Sequence, residues 1–460
     1  MKISIIGTGY VGLVSGVCMA AKGHDVVCVD LDAAKVDRIN QGKSPIHENG
    51  LDELLANHCG VNFRATTDLR QAVLDSEVSM IAVGTPFDGD EIDLKYIRAV
   101  ATQVGTALKE KDSYHVVLVK STVVPGTTNE VVLPLIEKAS GKRAGCDFGI
   151  GMNPEFLREG EAVQDFMNPD RIVLGGHDER TLDVLEKLYL PFEGVDQIRT
   201  NPRTAEMIKY SANALLATMI SFSNEIGNLC ASIPDVDVTG VMRGVHLDKR
   251  LSPILPDGRR ITPSFTTYIE AGCGFGGSCF PKDVKALIAH GRKLGGGMEL
   301  LDAVVNVNLA QPQRMLDLLE KHFPDVAGLR VAVLGIAFKP GTDDIRESPA
   351  LPIIESLLAS NAKVIAFDPV ARGEAEKVFG DGALEFANSV DEAVSDAQAV
   401  LLLTRWPEFS GLPAIFAKID PQPLLIDGRR VISRDAVDRY EGIGVLSKQE
   451  PAAERVLARI

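Results

Sequence analysis

The stretch that decides the fold is Gly7-Thr8-Gly9-Tyr10-Val11-Gly12, which follows the apolar run Lys2 to Gly7. Alone, this G-x-G-x-x-G pattern is weak evidence, but here it ends a strand-like run and opens an amphipathic stretch. The first glycine permits a tight turn, the second lets the backbone approach a pyrophosphate, and the third lets helix and sheet pack closely. The pattern predicts a strand–turn–helix unit that binds a dinucleotide at the helix N-terminus. The expected cofactor contacts in this turn are Gly7, Gly9, Tyr10, Val11 and Gly12.

The next apolar run, Val26 to Asp30, ends in an acidic residue. A carboxylate at this position accepts hydrogen bonds from the adenosine ribose hydroxyls and repels a 2′-phosphate. Asp30 therefore predicts NAD rather than NADP as the cofactor. Lys35 lies nearby in the sequence, and we expect it to contact the cofactor. The alternative for Lys35 is a solvated charge on a helix surface.

Short apolar runs alternate with amphipathic stretches through residues 1–200. This alternation is typical of a parallel, doubly wound sheet with helices on both faces, and it predicts a first domain over these residues. The expected strands are Lys2 to Gly7, Val26 to Asp30, Val78 to Gly84, His115 to Ser121 and Ile172 to Gly175.

The same alternation returns in residues 316–460 and predicts a second Rossmann-like domain. Its first turn, Gly335-Ile336-Ala337-Phe338-Lys339, lacks the glycine spacing that admits a pyrophosphate. We therefore expect this domain to hold a different ligand. The expected strands are Leu329 to Gly335, Lys363 to Asp368, Ala399 to Thr404 and Leu424 to Asp427.

Residues 201–315 between these domains begin with a helical pattern. From Pro202 onward the apolar positions have helical spacing, and no further proline occurs until Pro234. A helix of about thirty residues would be roughly 45 Å long. Such a helix is better suited to joining domains and forming a dimer than to covering one sheet. The predicted fold is α/β, with two Rossmann-like, doubly wound parallel-sheet domains joined by a long central helix in a homodimer.

Two further strand ends carry small polar residues. Val83-Gly84-Thr85-Pro86 and Lys120-Ser121-Thr122 both follow apolar runs of the first domain. Open α/β sheets bind ligands at the carboxyl ends of their strands. We expect these residues to line the cofactor crevice, although turn formation alone would also explain them. The expected contacts are Thr85, Pro86, Ser121 and Thr122.

A glycine-rich loop runs from Gly272 to Ser278 and leads into Cys279. Glycine at this density disfavours helix and strand, so the loop needs a special backbone path. Cys279 precedes a helix that we expect to begin near Lys282, and a helix N-terminus stabilises a thiolate. Cys279 is therefore a candidate nucleophile. For Cys273, a buried structural role is the expectation.

The composition excludes several classes of partner. Lys and Arg number 48 against 63 Asp and Glu, which gives a formal net charge of −15. An acidic protein is poorly suited to nucleic acid or to an anionic membrane surface. No apolar run is long enough to span a membrane, and the first residues enter a strand directly, leaving no room for a signal peptide. We expect a cytoplasmic location, with no nucleic-acid and no membrane partner.

Cysteine and histidine give no sign of a metal or of disulfides. The seven cysteines are scattered without a Cys-x-x-Cys pair, which disfavours a disulfide framework or a zinc ribbon. The eight histidines do not cluster at ligand spacing. The sequence therefore predicts no metal site.

Four motifs in this chain resemble those of the UDP-glucose/GDP-mannose dehydrogenase family. They occur in the family's order and together cover essentially the whole chain. The stretch from Asp165-Phe166 to Pro169-Asp170-Arg171-Ile172-Val173 looks most like the branch that oxidises UDP-glucose. The four motifs are Asn153 to Gly160, Glu206 to Tyr210 with Asn213, Gly274 to Asp283, and Phe338-Lys339 with Asp344 to Ser348.

The resemblance implies a four-electron oxidation of UDP-glucose to UDP-glucuronate that consumes two NAD⁺. An aldehyde cannot release a second hydride until a nucleophile adds to its carbonyl. The Cys279 thiolate would add, forming a thiohemiacetal whose oxidation gives a thioester. Water then hydrolyses the thioester.

The same matches imply roles for residues around Cys279. Lys209, as an ammonium, would stabilise developing oxyanions, with help from the Asn213 amide. These two residues lie at i and i+4 and so share one helix face. Asp283, with Thr122 and a bound water, is the candidate that takes the alcohol proton in the first step.

Two glutamates follow the Asn153-Pro154 step. By the resemblance, Glu155 is the candidate base for thioester hydrolysis, and Glu159 is placed near the nicotinamide. Without the resemblance, both would be read as residues of a solvated loop.

The resemblance also implies the substrate contacts. Arg346 matches a family position near the cofactor, and the backbone from Tyr268 to Cys273 is expected to surround the uridine diphosphate. The remaining contacts that the matches imply are Glu155, Phe156, Leu157, Arg158, Lys209, Asn213, Tyr268, Gly272, Gly274, Phe275, Gly276, Phe338 and Lys339.

The resemblance also implies an arginine that contacts the diphosphate or sugar, either in its own subunit or in the neighbouring one. This arginine has no single counterpart here. Arg260 is the candidate, but the segment from Leu251 to Ser264 looks longer and richer in proline than the family pattern. Arg259, Arg260 or neither fills this role on sequence grounds. Arg430 is a weaker candidate.

Three other functions compete with this interpretation. GDP-mannose or UDP-N-acetylmannosamine would be oxidised by the same chemistry. A one-step dehydrogenase of the hydroxyacid type also carries an N-terminal fingerprint and an active-site lysine, but it needs no cysteine. A scaffold protein without catalysis is disfavoured by the intact set Cys279, Lys209, Asn213 and Asp283.

Overall fold

A computed structural model describes residues 1–446 except 90, 268, 381 and 383. The chain divides into two compact units. Unit 1 comprises Met1–Asn213 and Lys285–Gly297, and unit 2 comprises Ala214–Val284 and the chain from Met298 onward.

Unit 1 contains an eight-stranded sheet in the order β3-β2-β1-β4-β5-β6-β7-β8. Its strands are β1 (Lys2–Ile6), β2 (Asp25–Val29), β3 (Phe63–Thr66), β4 (Val78–Ile81), β5 (His115–Val119), β6 (Phe148–Met152), β7 (Arg171–Gly176) and β8 (Asp196–Thr200). The first six follow the order of a dinucleotide-binding sheet, whose strand sequence reverses between β1 and β4. Ligands bind where that order reverses.

The helices of unit 1 cover both faces of this sheet. They are α1 (Tyr10–Ala21), α2 (Ala33–Asn40), α3 (Leu51–His58), α4 (Leu69–Asp75), α5 (Lys95–Leu108), α6 (Leu133–Ser140), α7 (Ala162–Met167) and α8 (Glu179–Tyr189). A π-helical turn, Thr128–Val132, precedes α6. The side chains of Asp32, Asp68 and Asp178 cap α2, α4 and α8 by accepting first-turn N–H groups.

Two apolar clusters hold the layers of unit 1 together. Ile3 and Ile5 of β1 lie in the cluster that includes Leu13 of α1, whereas Ile6 lies in the cluster that includes Ile97 of α5. Successive strand residues point to opposite faces, so one apolar strand supplies both layers. Burying each such side chain contributes about 1.5–3 kcal/mol.

The direction of β7 departs from the predicted all-parallel sheet. β6 and β7 pair antiparallel, and β8 follows β7 in parallel. A parallel return needs a long crossover, usually a helix. The connection from residue 153 to residue 170 holds only the six-residue α7, so the chain comes back in the opposite direction.

Unit 2 contains a six-stranded parallel sheet in the order β11-β10-β9-β12-β13-β14. Its strands are β9 (Arg330–Leu334), β10 (Lys363–Phe367), β11 (Glu385–Phe386), β12 (Ala399–Leu402), β13 (Leu424–Asp427) and β14 (Tyr440–Gly442). The order repeats that of β1 to β6, so the predicted pair of Rossmann-like sheets is confirmed.

The remaining helices include the predicted long one. They are α9 (Pro202–Cys230), α10 (Val238–His246), α11 (Phe280–Lys293), α12 (Glu299–Glu320), α13 (Ala350–Ala359), α14 (Arg372–Phe379), α15 (Val390–Val394) and α16 (Leu412–Phe416). Short 3₁₀ turns occur at Ser264–Thr267, Pro407–Gly411 and Arg434–Ala436. The long helix, α9, has 29 residues, which confirms the expected length. Both α9 and α11 contribute residues to each unit.

The division into three domains at residues 200 and 315 stays a prediction.

Among the described residues, no helix is both long and apolar enough to cross a membrane.

Candidate active site

The turn after β1 contains two glycines that the fold requires and one that it does not. Gly7 has φ +103°, and a Cβ there would lie 2.7 Å from the Ala82 carbonyl oxygen. A Cβ at Gly12 would lie 1.9 Å from the Gly7 carbonyl oxygen. At Gly9 a Cβ would meet nothing within 4 Å. Packing therefore explains Gly7 and Gly12, whereas the open space at Gly9 fits the close approach of a pyrophosphate.

Asp30 lies directly after β2 and is bonded to the same turn. Its Oδ2 accepts the Thr8 N–H at 3.0 Å and the Thr8 hydroxyl at 2.5 Å, and its Oδ1 accepts the Asp32 N–H at 3.1 Å. Burial opposes ionisation of Asp30, but these donors and Lys35 outweigh it and hold its pKa below the usual value. Lys35 Nζ lies 3.5 Å from Asp30 Oδ2, so both predicted cofactor residues lie together. This charged, half-buried carboxylate fits the ribose hydroxyls of NAD.

The ends of β4 and β5 are tied together beside this turn. The Thr85 hydroxyl donates to the Thr122 carbonyl oxygen at 2.7 Å. The Ser121 hydroxyl donates to the Val83 carbonyl oxygen at 2.7 Å. Pro86 follows Thr85 on the same connection. The structure thus brings these predicted crevice residues together within unit 1.

The second sheet has an acidic residue at the corresponding place, but protein donors already bind its carboxylate. Asp368 follows β10, and its Oδ2 accepts the N–H groups of Ile336 and Ala337 at 2.7 and 3.0 Å. The same oxygen accepts the Trp406 indole N–H at 3.2 Å, and Asp368 is 6% exposed. At Gly335 a Cβ would lie 2.4 Å from the Thr404 Cβ. Thr404 and Trp406, which follow β12, therefore close the turn after β9 and leave no room there for a second dinucleotide.

A buried ion pair joins the 153–160 loop to α9. Lys209 Nζ lies 2.9 Å from Glu155 Oε1, and the two side chains are 4% and 5% exposed. Burial alone would raise the pKa of Glu155, but the Lys209 ammonium outweighs it and keeps that pKa below its usual value. The other oxygen, Oε2, accepts the Leu157 N–H at 2.7 Å. Glu155 is therefore held as a carboxylate.

A third charge near this pair was not singled out from the sequence. Lys120, which follows β5, is 3% exposed and donates to Asn153 Oδ1 at 2.8 Å. Burial lowers the pKa of Lys120 to about 8, while Glu155 raises it and Lys209 lowers it further. A lysine directly after the apolar run 116–119 was the signal that could have identified it.

The other residues of this loop have defined partners. The Phe156 ring lies under the Arg171 guanidinium, with 3.8 Å from the guanidinium carbon to the ring centroid. The Arg158 side chain pairs with Asp165, with Nη2 2.6 Å from Oδ1, and also with Glu161. A substrate contact of Arg158 would therefore have to compete with two carboxylates.

Helix α9 carries several of the predicted residues of unit 1. Lys209 and Asn213 are 3% and 7% exposed. Glu206, one turn earlier, is fully buried and accepts the N–H groups of Gly126 and Thr128 at 2.6 and 2.8 Å. Burial raises the pKa of Glu206 to about 7. This glutamate fixes the segment after Thr122 to the helix that bears Lys209.

The glycine loop lies in unit 2 and follows a path that side chains would block. Gly274 and Gly277 have φ values of +107° and +86°. A Cβ at Gly276 would lie 2.3 Å from the Glu347 carbonyl oxygen, and one at Gly277 would lie 2.8 Å from the Phe338 ring. The loop therefore lies directly against the segment that contains Phe338 and Lys339.

Side-chain amides of α9 and α12 hold the backbone of this loop. Gly272 N–H donates to Asn224 Oδ1 at 2.8 Å, and the Gly272 carbonyl oxygen accepts the Gln311 amide at 2.7 Å. Phe275 exchanges two hydrogen bonds with the Asn308 amide, at 2.8 and 3.0 Å. These four hydrogen bonds fix the path of the loop backbone that leads to Cys279.

Cys279 occupies the N-cap position of α11. Its carbonyl oxygen accepts the Asp283 N–H at 2.8 Å, and its Sγ lies 3.7 Å from the Ser278 hydroxyl. The helix begins at Phe280, earlier than the expected start near Lys282. Asp283 is 1% exposed, and its Oδ1 accepts Lys282 Nζ at 2.5 Å. A sulfur at a helix N-terminus is favoured as a thiolate.

Cys273 behaves as the sequence predicts. It is fully buried, and its Sγ donates to the Leu403 carbonyl oxygen at 3.5 Å. Burial raises the pKa of its thiol.

The predicted arginines are engaged with neighbouring groups. Arg346 forms two hydrogen bonds with Asp344, at 2.8 and 2.7 Å. Arg259 pairs with Asp257 at 2.8 Å. Arg260 donates instead to the carbonyl oxygens of Leu247 and Ser252 at 2.6 and 3.0 Å.

Arg430 borders a cavity of about 340 Å³ in unit 2. Its guanidinium pairs with Asp237 at 2.7 Å, and its side chain is 10% exposed. Tyr268, another predicted substrate contact, lies outside the described residues. The residues around the cavity include Met242, Arg243, His246, Glu270, Ala271 and Arg430.

The residues proposed to act together belong to different units. Thr122, Glu155, Lys209 and Asn213 lie in unit 1, and Asp283 and Cys279 lie in unit 2. Their joint action, and the cofactor contacts of Glu159 and Arg346, stay predictions. Within the described ranges, no group of three or more His, Cys, Asp or Glu side chains could hold a metal ion.

Sequence models of one family match the chain in three consecutive segments. The NAD binding domain of the UDP-glucose/GDP-mannose dehydrogenase family matches residues 1–193. The family's central domain matches residues 203–310, and its UDP binding domain matches residues 332–434.

Individual relatives match 80% or more of the chain. A UDP-glucose 6-dehydrogenase of Haloferax volcanii, AglM, is 44% identical over 448 residues, which cover 96% of this chain and all of that protein. A GDP-mannose 6-dehydrogenase of Pseudomonas aeruginosa is 44% identical over 371 residues, 80% of this chain and 81% of that protein. The structure of a UDP-glucose dehydrogenase from Pyrobaculum islandicum is 38% identical with a TM-score of 0.87, covering 96% of this chain and 97% of that one.

Proposed function

The chain belongs to the UDP-glucose/GDP-mannose dehydrogenase family, and from that premise we propose that it oxidises UDP-glucose to UDP-glucuronate through a thioester on Cys279. As a member it is an NAD-dependent dehydrogenase of a nucleotide sugar. The observation that carries the mechanism is the position of Cys279, at the N-cap of α11 and at the end of a glycine loop whose backbone is held by side-chain amides. UDP-glucose is favoured because the Haloferax UDP-glucose enzyme is 44% identical over 448 residues, whereas two GDP-mannose enzymes of Pseudomonas are 44% identical over 371 residues and 40% identical over 426 residues.

The first oxidation converts the C6 alcohol to an aldehyde, with loss of a hydride and a proton. When bound, NAD⁺ supplies the hydride acceptor for both oxidation steps. The turn at Gly9, together with Asp30 and Lys35, would hold it. Asp283, with Thr122 and a water molecule, takes the alcohol proton in this proposal. The Lys209 ammonium stabilises the negative charge that develops on oxygen.

The second oxidation requires a covalent bond to the protein. The Cys279 thiolate adds its electron pair to the aldehyde carbon, and the carbonyl oxygen takes a proton to give a thiohemiacetal. Loss of a hydride from carbon and of the hydroxyl proton leaves a thioester. Covalent capture also keeps the reactive aldehyde on the protein.

Hydrolysis then restores the thiol. Water adds to the thioester carbonyl, the carbon–sulfur bond breaks, and the carboxylate leaves as Cys279 regains a proton. Glu155 is the proposed base for this water, and its ion pair with Lys209 keeps it ionised. A carboxylate can accept a proton only in that state.

The uridine end of the substrate is proposed to enter the cavity beside α10. The cavity of about 340 Å³ includes Glu270 and Ala271, which precede the glycine loop, and its size suits a small-molecule group. The backbone from residue 269 to residue 273 would then form its wall.

A homodimer is proposed from an apolar stripe on α9. Leu215, Phe222 and Leu229 recur every seven residues and are 59%, 52% and 58% exposed. Side chains at this spacing share one face of a helix. Leu300 and Leu309 of α12 are exposed as well, and α12 lies beside α9, where the Ser221 hydroxyl donates to the Val304 carbonyl oxygen at 2.9 Å.

The proposed compartment is the cytoplasm, whose reducing conditions keep a nucleophilic thiol free.

The test is the yield of NADH per UDP-glucose, measured at limiting sugar and excess NAD⁺ with the purified full chain. We expect two NADH per sugar, and no net turnover in Cys279→Ala. The exposed Cys146 provides the matched control, because Cys146→Ala should keep the full yield. One NADH per sugar with accumulating aldehyde would overturn the thioester. No NADH from UDP-glucose but two from GDP-mannose would keep the chemistry and change the substrate.

A further inference from the structure

Glu48 is a buried carboxylate for which the proposed mechanism has no role. It lies on the connection between α2 and α3 and is 7% exposed. Taking a carboxylate out of water is costly unless several donors satisfy it. Its partners therefore indicate what it does.

Three donors from distant parts of unit 1 meet this carboxylate. The Tyr10 hydroxyl and the Gly160 N–H donate to Oε2, the latter at 2.7 Å. The Ala162 N–H donates to Oε1 at 2.8 Å. The neighbouring Asn49 amide donates to the Gly160 carbonyl oxygen at 2.8 Å. Glu48 and Asn49 thus hold both backbone groups of Gly160.

The segments joined here are two of those that bear the predicted chemistry of unit 1. Tyr10 is the first residue of α1 and part of the glycine turn at the cofactor. Gly160 ends the loop that begins with Asn153 and contains Glu155 and Glu159. The Gly160 N–H also donates to the Tyr10 hydroxyl, at 2.9 Å. The start of the cofactor helix and the end of the glutamate loop therefore share one hydrogen-bonded centre.

We propose that Glu48 is a positioning residue: its carboxylate sets the 153–160 loop, and with it Glu155 and Glu159, at a fixed place relative to the cofactor-binding turn. The proposal rests on the proposed function, because it assigns the loop a part in hydrolysis and hydride transfer. Glu48 itself touches neither substrate nor cofactor in this proposal. An error of about 1 Å in such a placement costs about a hundredfold in rate.

A purely structural role makes a different forecast. The Ala162 N–H is a first-turn donor of α7, so Glu48 also caps a short helix. Loss of a cap lowers stability by about 1 kcal/mol and leaves the catalytic steps of the folded enzyme unchanged. The two roles are separated by comparing kcat with KM.

The experiment uses the full chain with Glu48→Gln, which keeps the shape but turns an amide toward backbone donors. Glu53→Gln, on the exposed surface of α3, is the matched control. We expect kcat with UDP-glucose to fall about tenfold to a hundredfold, while KM and the Kd of NADH change by less than about threefold. Because the base for hydrolysis is displaced, mass spectrometry of quenched turnover should find a larger acylated fraction of Cys279 than in wild type.

Hydrogen exchange measures directly whether the hydrogen bonds to Glu48 are lost. The amides of Gly160 and Ala162 should exchange at least about tenfold faster in Glu48→Gln than in Glu53→Gln. Tyr10→Phe, which lacks only the hydroxyl, should lower kcat in the same direction and serves if Glu48→Gln does not fold. The double variant should be no slower than Glu48→Gln alone, within about threefold, because both changes break one network.

Unchanged exchange at Gly160, or faster exchange with wild-type kcat, would overturn the positioning role. If wild type makes no NADH from any nucleotide sugar, the proposed function fails and the catalytic part of this inference fails with it. If wild type is active and Glu48→Gln equals it, only the inference fails.

Discussion

Two opposite charges lie inside unit 1, at Lys209 and Glu155, and the ionised state of Glu155 depends on its partner. Burial would protonate this carboxylate, and the Lys209 ammonium at 2.9 Å prevents it. Replacing a buried pair by neutral groups is often tolerated, whereas removing one partner leaves an uncompensated charge. Stability and catalysis can therefore be separated at this site.

We expect Lys209→Met to lose about 3–5 kcal/mol of stability, because Glu155 stays buried without its nearest cation. The double variant Lys209→Met/Glu155→Gln should recover most of that stability, since neither charge remains. Neither variant should form NADH from UDP-glucose at more than a small fraction of the wild-type rate. Urea unfolding and NADH absorbance measure the two effects. An active double variant would remove both residues from the chemistry.

At the scale of the element, the β1–α1 turn distinguishes a binding role from a folding role. Gly9 has φ −67° and ψ −172°, which alanine adopts without strain, and its Cβ would meet nothing within 4 Å. Gly12 has no such room, because its Cβ would lie 1.9 Å from the Gly7 carbonyl oxygen. Packing of the turn therefore requires glycine at position 12, whereas only a ligand that approaches Gly9 would require glycine at position 9.

We expect Gly9→Ala to keep the wild-type melting temperature but to weaken NADH binding by at least about tenfold, because a methyl group would fill the space of the pyrophosphate. Gly12→Ala should instead lower the melting temperature, because overpacking typically costs about 1–3 kcal/mol of stability. Thermal unfolding without ligand and NADH titration separate the two variants. Normal NADH affinity in Gly9→Ala would move the phosphates away from this turn.

The long helix and nine of the fourteen strands of the described residues could be predicted, because their signals are local, whereas β3, β6, β8, β11 and β14 were not predicted. An apolar run such as His115 to Val119, or the helical spacing of Pro202 to Cys230, is visible in the sequence itself. The direction of β7 was not, because it depends on how the short 153–170 connection returns. The glycine loop and the following helix indicated Cys279 from the residues themselves, whereas the family motifs supplied Lys209 by resemblance.

Sequence reasoning also missed the long-range polar contacts. Glu48 meets Tyr10 and Gly160, and Lys120 meets Asn153, across separations that no spacing rule covers. Each reads as a surface charge until its burial is known. Burial of charge is therefore what the structure adds to the candidate site.

At the scale of the whole molecule, the same strand order serves two ligands. Asp30 and Asp368 both accept an N–H group from the turn after the first strand of their sheet. Asp30 stays half-buried, whereas Trp406 and Thr404 close the turn beside Asp368. One repeated topology thus provides an open dinucleotide turn in unit 1 and a closed one in unit 2. The match of the UDP binding domain to residues 332–434 accords with this difference.

The proposed dimer makes a prediction for the stripe on α9. Phe222→Asp should convert a dimer to a monomer, because an interface would bury an unpaired carboxylate. Light scattering after size exclusion measures the mass directly. Val378→Asp is the matched control, since Val378 of α14 is also exposed, at 54%. An unchanged mass for Phe222→Asp would place the interface elsewhere.

Acid should destabilise the protein through His115, the buried first residue of β5. Burial, and next the Lys111 ammonium, lower the pKa of His115 to about 3, whereas an unfolded histidine has a pKa of about 6.5. The ring nitrogens lie 3.1 Å from the Ser76 carbonyl oxygen and 2.8 Å from the Ser79 hydroxyl, which satisfies the neutral ring. Below about pH 6.5 the unfolded chain takes up a proton that the folded protein excludes, so stability falls progressively toward pH 3. From about pH 7.5 to about pH 5 this amounts to about 2 kcal/mol, and His115→Gln should lose that much less over the same interval in urea unfolding. The exposed His177 is the control, and equal acid losses in His115→Gln and His177→Gln would assign the acid sensitivity to other groups.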